Sequence, residues 1–229
     1  MYGDEKITEL IFETMLASKK TWKQGYRTRC WELLHRLGYR KQLISLLEKT
    51  KFDDDDLFFL DLQRAKNDLG IVPRRREEIL WIRELSKPKY DSFWIEAIEA
   101  LSKLDNERRD TIEMRDIPIS VSLLRHGGKN AFDRSTNKII NQVANEIKNE
   151  RHYFETEGGG QYDARTELLR THRDSLTWGD AVTLEILLTA LRIPEVKAHL
   201  FDYALRDNQD TTTEYGGVIT LDKKGRFEI

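Results

Sequence analysis

Only four prolines interrupt the 229-residue chain, at positions 73, 88, 118 and 194, and long stretches between them carry apolar residues three and four apart. That spacing lays apolar side chains along one stripe of an α-helix, so the chain is constrained first of all to a helix-rich fold. A helix is expected over about 4–17, with Ile7, Leu10, Ile11 and Met15 as its buried stripe and Asp4 and Glu5 suiting its positive amino end. A second is expected over 28–37, capped by Gly38, and Leu43, Ile44 and Leu47 mark a short third. The fourth opens on the acidic run Asp53 to Asp56, carries Phe58, Leu62, Ala65 and Leu69, and closes at Gly70. Pro73 is expected to start a fifth with Ile79, Leu80 and Ile82, and Asp91 a sixth with Trp94, Ile98 and Leu101.

One helix pair per roughly 35 residues is the density of helical-repeat arrays. In that spacing residues 1–110 resemble HEAT-like proteins, although no residue signature recurs. The resemblance implies an irregular α-α superhelix; a multi-helix bundle fits the same pattern. Residues 111–229 form a second expected region, either separate from the first or continuous with it in one domain. There Ile117, Ile119, Val121 and Leu123 alternate with Pro118, Ser120 and Ser122, which predicts a short extended segment over 117–123, edge-like because of Pro118. Ser135 should cap a helix burying Ile139, Ile140, Val143 and Ile147. Thr177 to Asp180 (TWGD) fits a capping box ahead of Ala181, Leu184, Leu188 and Leu191, and Pro194 opens a helix with Val196, Leu200 and Tyr203. At the carboxyl end VITL, the turn DKKG and RFEI predict a β-hairpin. The expected class is therefore mainly α, with one short hairpin and one extended segment.

The chemistry that composition excludes is broad. No apolar run approaches the roughly 18 to 20 residues that span a bilayer, and the first residues are charged where a signal peptide would be apolar, so no membrane association and a cytoplasmic address are expected. Cys30 is the only cysteine, which rules out an internal disulfide and CxxC-type zinc sites. The five histidines show no HxH, HExxH or His-x3-His spacing, and neither a GxSxG elbow nor a GxxxxGK[ST] loop is present, so no metal, cofactor or catalytic residue is assigned. His199 is expected to pack partly buried and His126 to sit in a turn. Lys and Arg total 38 against 40 Asp and Glu, so any electrostatic function must be local.

The strongest local bias is residues 19–41, where Lys19, Lys20, Lys23, Arg27, Arg29, Arg36, Arg40 and Lys41 face a single acid, Glu32, with Trp22, Tyr26, Trp31 and Tyr39 interleaved. Cations of this kind hold phosphates while exposed aromatics stack on bases, which makes a nucleic-acid face one reading. An ordinary solvated helix face is the other, with Trp31 and Leu34 buried and the acidic run at 53–56 neutralising the patch within the fold. The second basic cluster, Pro73 to Glu78 (PRRREE), is read as helix-cap and salt-bridge chemistry. Gly158, Gly159 and Gly160 suggest a connector loop, and with Glu214 and Tyr215 they form a candidate functional loop. Residues 210–217, DTTTEYGG, resemble a segment of bacterial helical regions that precede JAB/MPN-type metalloprotease domains, which implies an accessory helical region rather than a catalytic one. The expected function is a non-enzymatic helical scaffold whose partner is another protein. The alternatives are a nucleic-acid-binding helical protein using 19–41, or an accessory region of a larger enzyme.

Overall fold

The computed structural model describes residues 2–17, 24–128, 130–149, 169–210, 212–222 and 224–228. It is mainly α-helical, and its chain divides into two compact units, Met1–Val121 and Ser122–Ile229.

In the first unit α1 (Tyr2–Ala17), α2 (Gln24–Arg36), α3 (Arg40–Lys49), α4 (Leu57–Arg64) and α5 (Arg76–Leu85) pack each on the next, and α2 also packs on α5. A π-helical turn, Ala65–Leu69, prolongs α4 and ends at Gly70. α6 (Asp91–Ser102) packs on that turn, and the one-turn helix α7 (Asn106–Arg109) follows. Trp31, Leu34, Leu43, Leu47, Phe58, Leu62 and Trp94 are the heart of the core. Among the described side chains of α1 the buried ones are Thr8 and Met15, whereas Ile7 and Leu10 are more than half exposed, so the expected stripe is rotated. Pro73 lies three residues short of α5, and Leu80 on α5 is exposed.

One side chain locks three of these elements together. Arg27 is fully buried, grips Asp56 with both guanidinium nitrogens at 2.6 and 2.7 Å, and donates from Nε to the Met15 carbonyl at 3.0 Å. The rings of Phe58 and Phe59 cover its charge at 4.8 and 4.6 Å. A buried charge is stable only when paired and hydrogen-bonded in this way. Asp56 therefore answers Arg27, and its side chain makes no cap bond to α4.

Residues 117–123 are helical, which corrects the extended reading: α8 (Asp116–His126) runs through the boundary of the two units. Pro118 falls in the first helical turn, where its missing N–H has no intrahelical partner to lose. Asp116, Ile117, Ser120, Val121 and Leu123 are buried; Ile117, Ser120 and Val121 among them keep a helical spacing in which a serine stands where an apolar residue would have announced it.

In the second unit α9 (Thr136–Asn149) buries Ile139, Ile140 and Val143, and Ser135 Oγ accepts from the Lys138 amide at 3.3 Å as its cap. The one-turn helix α10 (Leu169–His172) precedes α11 (Trp178–Leu191), which starts on the Thr177/Asp180 capping box and packs against α9. α12 (Pro194–Gln209) packs on α11 but buries only Val196; Leu200 and His199 are exposed, contrary to expectation. The terminal hairpin pairs β1 (Thr220–Leu221) antiparallel to β2 (Phe227–Glu228), with Leu221 opposite Phe227. It rests on helices: β2 meets α12, and Gly225 (φ 75°) sits so close to His126 that an added Cβ would lie 2.7 Å from Nδ1. No described helix is long and apolar enough to cross a membrane.

A candidate arginine cleft

In the first unit three segments turn their basic residues into one cavity of about 570 Å³, lined by Glu32, His35, Arg36, Arg40, Arg74 and Arg75. That volume lies within the roughly 300–1,000 Å³ of small-ligand clefts. Glu32, His35 and Arg36 stand at helical neighbours' spacing on α2, so they share a face, while Trp31 and Leu34 take the buried one. Gly38 (φ 87°) then ends the helix in a Schellman turn: the Tyr39 amide donates to Leu34 O at 2.9 Å and the Gly38 amide to His35 O at 3.1 Å. That reversal places Arg40 as the first residue of α3, a helix whose first turn holds no acid and whose cap residue, Tyr39, makes no side-chain cap bond.

Arg74 and Arg75 are brought over from the segment ahead of α5. Trp31 Nε1 donates to the Pro73 carbonyl at 2.8 Å and Arg40 Nη1 to Val72 O at 3.3 Å, which fastens this segment beside α2 and α3. Glu78 accepts from the backbone amides of both Arg74 and Arg75, so its charge is spent on the amino end of α5. Arg74 pairs with Glu113 at 3.0 Å. Among the described residues Arg36 and Arg75 make no ion pair.

The electrostatics record the crowding. Burial, and then the charges of Arg40 and Arg74, push His35 down to about 4, so its ring is neutral at physiological pH. Its Nε2 is enclosed and lacks a hydrogen-bond partner, and the ring lies 5.7 Å from that of Trp31. The half-buried Arg40 guanidinium is itself lowered, first by burial and next by Arg74. Glu113 and Glu78 act on Arg40 in the opposite sense and relieve part of this repulsion; an anion in the cleft would relieve the rest.

The basic segment 19–41 thus divides. Arg36 and Arg40 join the cleft. Arg27 is removed from it by the Asp56 lock, which is the neutralisation within the fold that the acidic run suggested. Arg29 and Lys41 are exposed outside the cleft, and Lys19, Lys20, Lys23 and Trp22 lie outside the described residues. Of the interleaved aromatics Trp31 is buried, Tyr39 half-buried and Tyr26 exposed. Arg74, Arg75 and His35 were not singled out as site residues; the signal was present in PRRREE, which does cap α5 but also presents two arginines at the cleft. Cys30 is half-buried, and burial pushes its thiol up, away from the nucleophilic thiolate.

The second unit holds its own cavity, of about 350 Å³, where α8, α9, α11 and the hairpin meet. Its arginines are answered: Arg134 makes a two-pronged pair with Glu185, and Arg192 reaches Glu146 at 3.1 Å. Gly158, Gly159 and Gly160 lie outside the described residues. Glu214 is exposed on an open depression of about 550 Å³, and the Tyr215 hydroxyl donates to Asp210 Oδ2 at 3.2 Å. Asp210, held at about 2 first by the Thr212 hydroxyl and next by the Thr212 amide, organises this loop as an ionised acceptor, which is turn chemistry. Among the described residues no group of three or more His, Cys, Asp or Glu is placed to hold a metal ion.

Compared with protein-family models, curated proteins and solved structures, the chain has no match in any of the three.

Proposed function

We propose that this chain is a non-enzymatic helical binding module that docks an anionic group of a partner protein in the arginine cleft of its first unit. The observation that carries the reading is the convergence of Arg36, Arg40, Arg74 and Arg75 on one cavity whose lining, among the described residues, holds a single carboxylate, Glu32. Guanidinium groups do not titrate near neutrality, and His35 is held uncharged, so the cleft is suited to binding rather than to proton transfer. The stepwise packing of α1 to α5 supports the HEAT-like scaffold reading of this unit. A cytoplasmic address belongs to the same proposal and is supported by the single, half-buried cysteine.

Retention on phosphocellulose tests the reading. Wild-type protein should bind at low salt and be released as salt rises. The double variant Arg36→Glu/Arg75→Glu should flow through, whereas Arg29→Glu/Lys41→Glu, with the same change in net charge, should still be retained. Coincident elution of both doubles would reduce the cleft to ordinary surface charge. Exposed Arg29, Lys41 and Tyr26 favour the nucleic-acid alternative; it would win if a gel shift with single-stranded RNA were lost in the second double variant and kept in the first.

A further inference from the structure

We infer that the group taken by the cleft is a phosphate monoester in its dianionic form. This inference rests on the cleft being an anion site and goes further by naming the anion.

Charge comes first. Among the described residues four arginines line the cavity, with Glu32 as the only acid. Glu113 occupies Arg74, and Glu78 is answered by backbone amides. Counting Glu32 against a second guanidinium leaves two positive charges, on Arg36 and Arg75 in particular, which have no ion pair among the described residues. A phosphate monoester carries about −1.5 to −2 at pH 7, whereas a carboxylate carries one charge and two acceptor oxygens. The monoester therefore fits both the charge and the number of donors.

Geometry comes second. The arginines come from α2, from the first residue of α3 and from the segment ahead of α5, and they converge on one cavity rather than along a track. A polynucleotide needs cations spaced along its backbone. Planar guanidinium forks pair bidentately with phosphate oxygens, and several forks on one phosphate give the recognition its specificity. The volume of about 570 Å³ exceeds that of a bare phosphate, so it admits the group together with what it esterifies. Two sources share this chemistry: a phosphorylated side chain of a protein and a free phosphorylated metabolite.

Titration calorimetry of the full chain separates the outcomes, with four probes: a phosphoserine peptide, the same peptide with glutamate in place of phosphoserine, a sugar monophosphate, and single-stranded oligonucleotide. The phosphoserine peptide should bind at least about tenfold more tightly than its glutamate counterpart, a factor worth about 1.4 kcal/mol. Affinity should rise as pH climbs through about 6, where the monoester loses its second proton. Arg36→Ala and Arg75→Ala should each weaken binding about tenfold or more, while Arg29→Ala leaves it unchanged. These two sites carry no ion pair among the described residues, so their loss does not put folding at stake. If the sugar monophosphate binds as well as the phosphopeptide, the source is a metabolite: the dianion inference stands and the partner-protein reading falls. Equal binding of the glutamate peptide would overturn the dianion inference and leave the anion module intact; tighter binding of the oligonucleotide would overturn both in favour of the nucleic-acid reading. If no probe binds, both fall together.

Discussion

In the second unit Arg134 and Arg192 each reach a glutamate on a neighbouring helix, Glu185 on α11 and Glu146 on α9. In the first unit Arg27 does the same with Asp56 at 2.6 Å, yet nine residues further along the same helix Arg36 has no ion pair among the described residues. The side-chain type is constant and the difference is whether the fold supplies the carboxylate. Where it does, the arginine is a structural cross-link. Where it does not, the positive field remains at the cavity wall, and that is the property on which the proposed function rests.

The largest effect that could break this contrast is at Arg27. Arg27→Ala strands a buried Asp56 and opens the contact with Phe58 and Phe59, and should destabilise the fold by about 3–5 kcal/mol in urea unfolding. A change below about 0.5 kcal/mol would mean that the buried pair is not a lock. Next comes Arg134→Ala, which removes a two-pronged partner from the largely buried Glu185 and should cost roughly 1–3 kcal/mol, with no change in anion binding by the first unit.

A smaller, pH-dependent effect belongs to His35, which faces Glu32 and Arg36 from its own helix, Arg40 from α3, and Arg74 and Arg75 ahead of α5. Its folded pKa of about 4 lies below the ordinary 6.5, so between those values the unfolded chain binds the extra proton. Its contribution to stability is complete above about 6.5 and is lost as pH falls toward about 4. Thermal unfolding followed across that window should show a steeper acid decline for wild type than for His35→Gln; parallel curves would show that burial and the neighbouring cations do not hold the ring neutral. Smallest of all, Arg36→Ala and Arg75→Ala should each move stability by no more than about 0.5 kcal/mol while weakening anion binding, the reverse of Arg27→Ala.

Much of the helical framework could be read from residue spacing because its signals are local. Gly38 and Gly70 end their helices at positive φ, Thr177 and Asp180 form the capping box, and Asp222 with Gly225 builds the hairpin turn. Residues 117–123 misled because the alternation of Ile117, Ile119, Val121 and Leu123 satisfies a period of two, while the helical face depends on a buried serine, Ser120, that no hydropathy pattern marks. The cleft was only half legible. Arg36 and Arg40 stood out in a basic run, but their companions Arg74 and Arg75 lie more than thirty residues away and are brought in by the Trp31 bond to Pro73. The same long-range packing withdrew Arg27, whose partner lies 29 residues along the chain.

The most direct test of the cleft as an anion site is an NMR titration of the His35 ring in the intact chain with phosphoserine peptide. Its resonances should shift saturably and its pKa should rise from about 4 as the added negative charge offsets Arg40 and Arg74. Both responses should vanish in Arg36→Ala/Arg75→Ala. A His35 ring that ignores the peptide, or responds equally in wild type and the double variant, would contradict the assignment of the cleft.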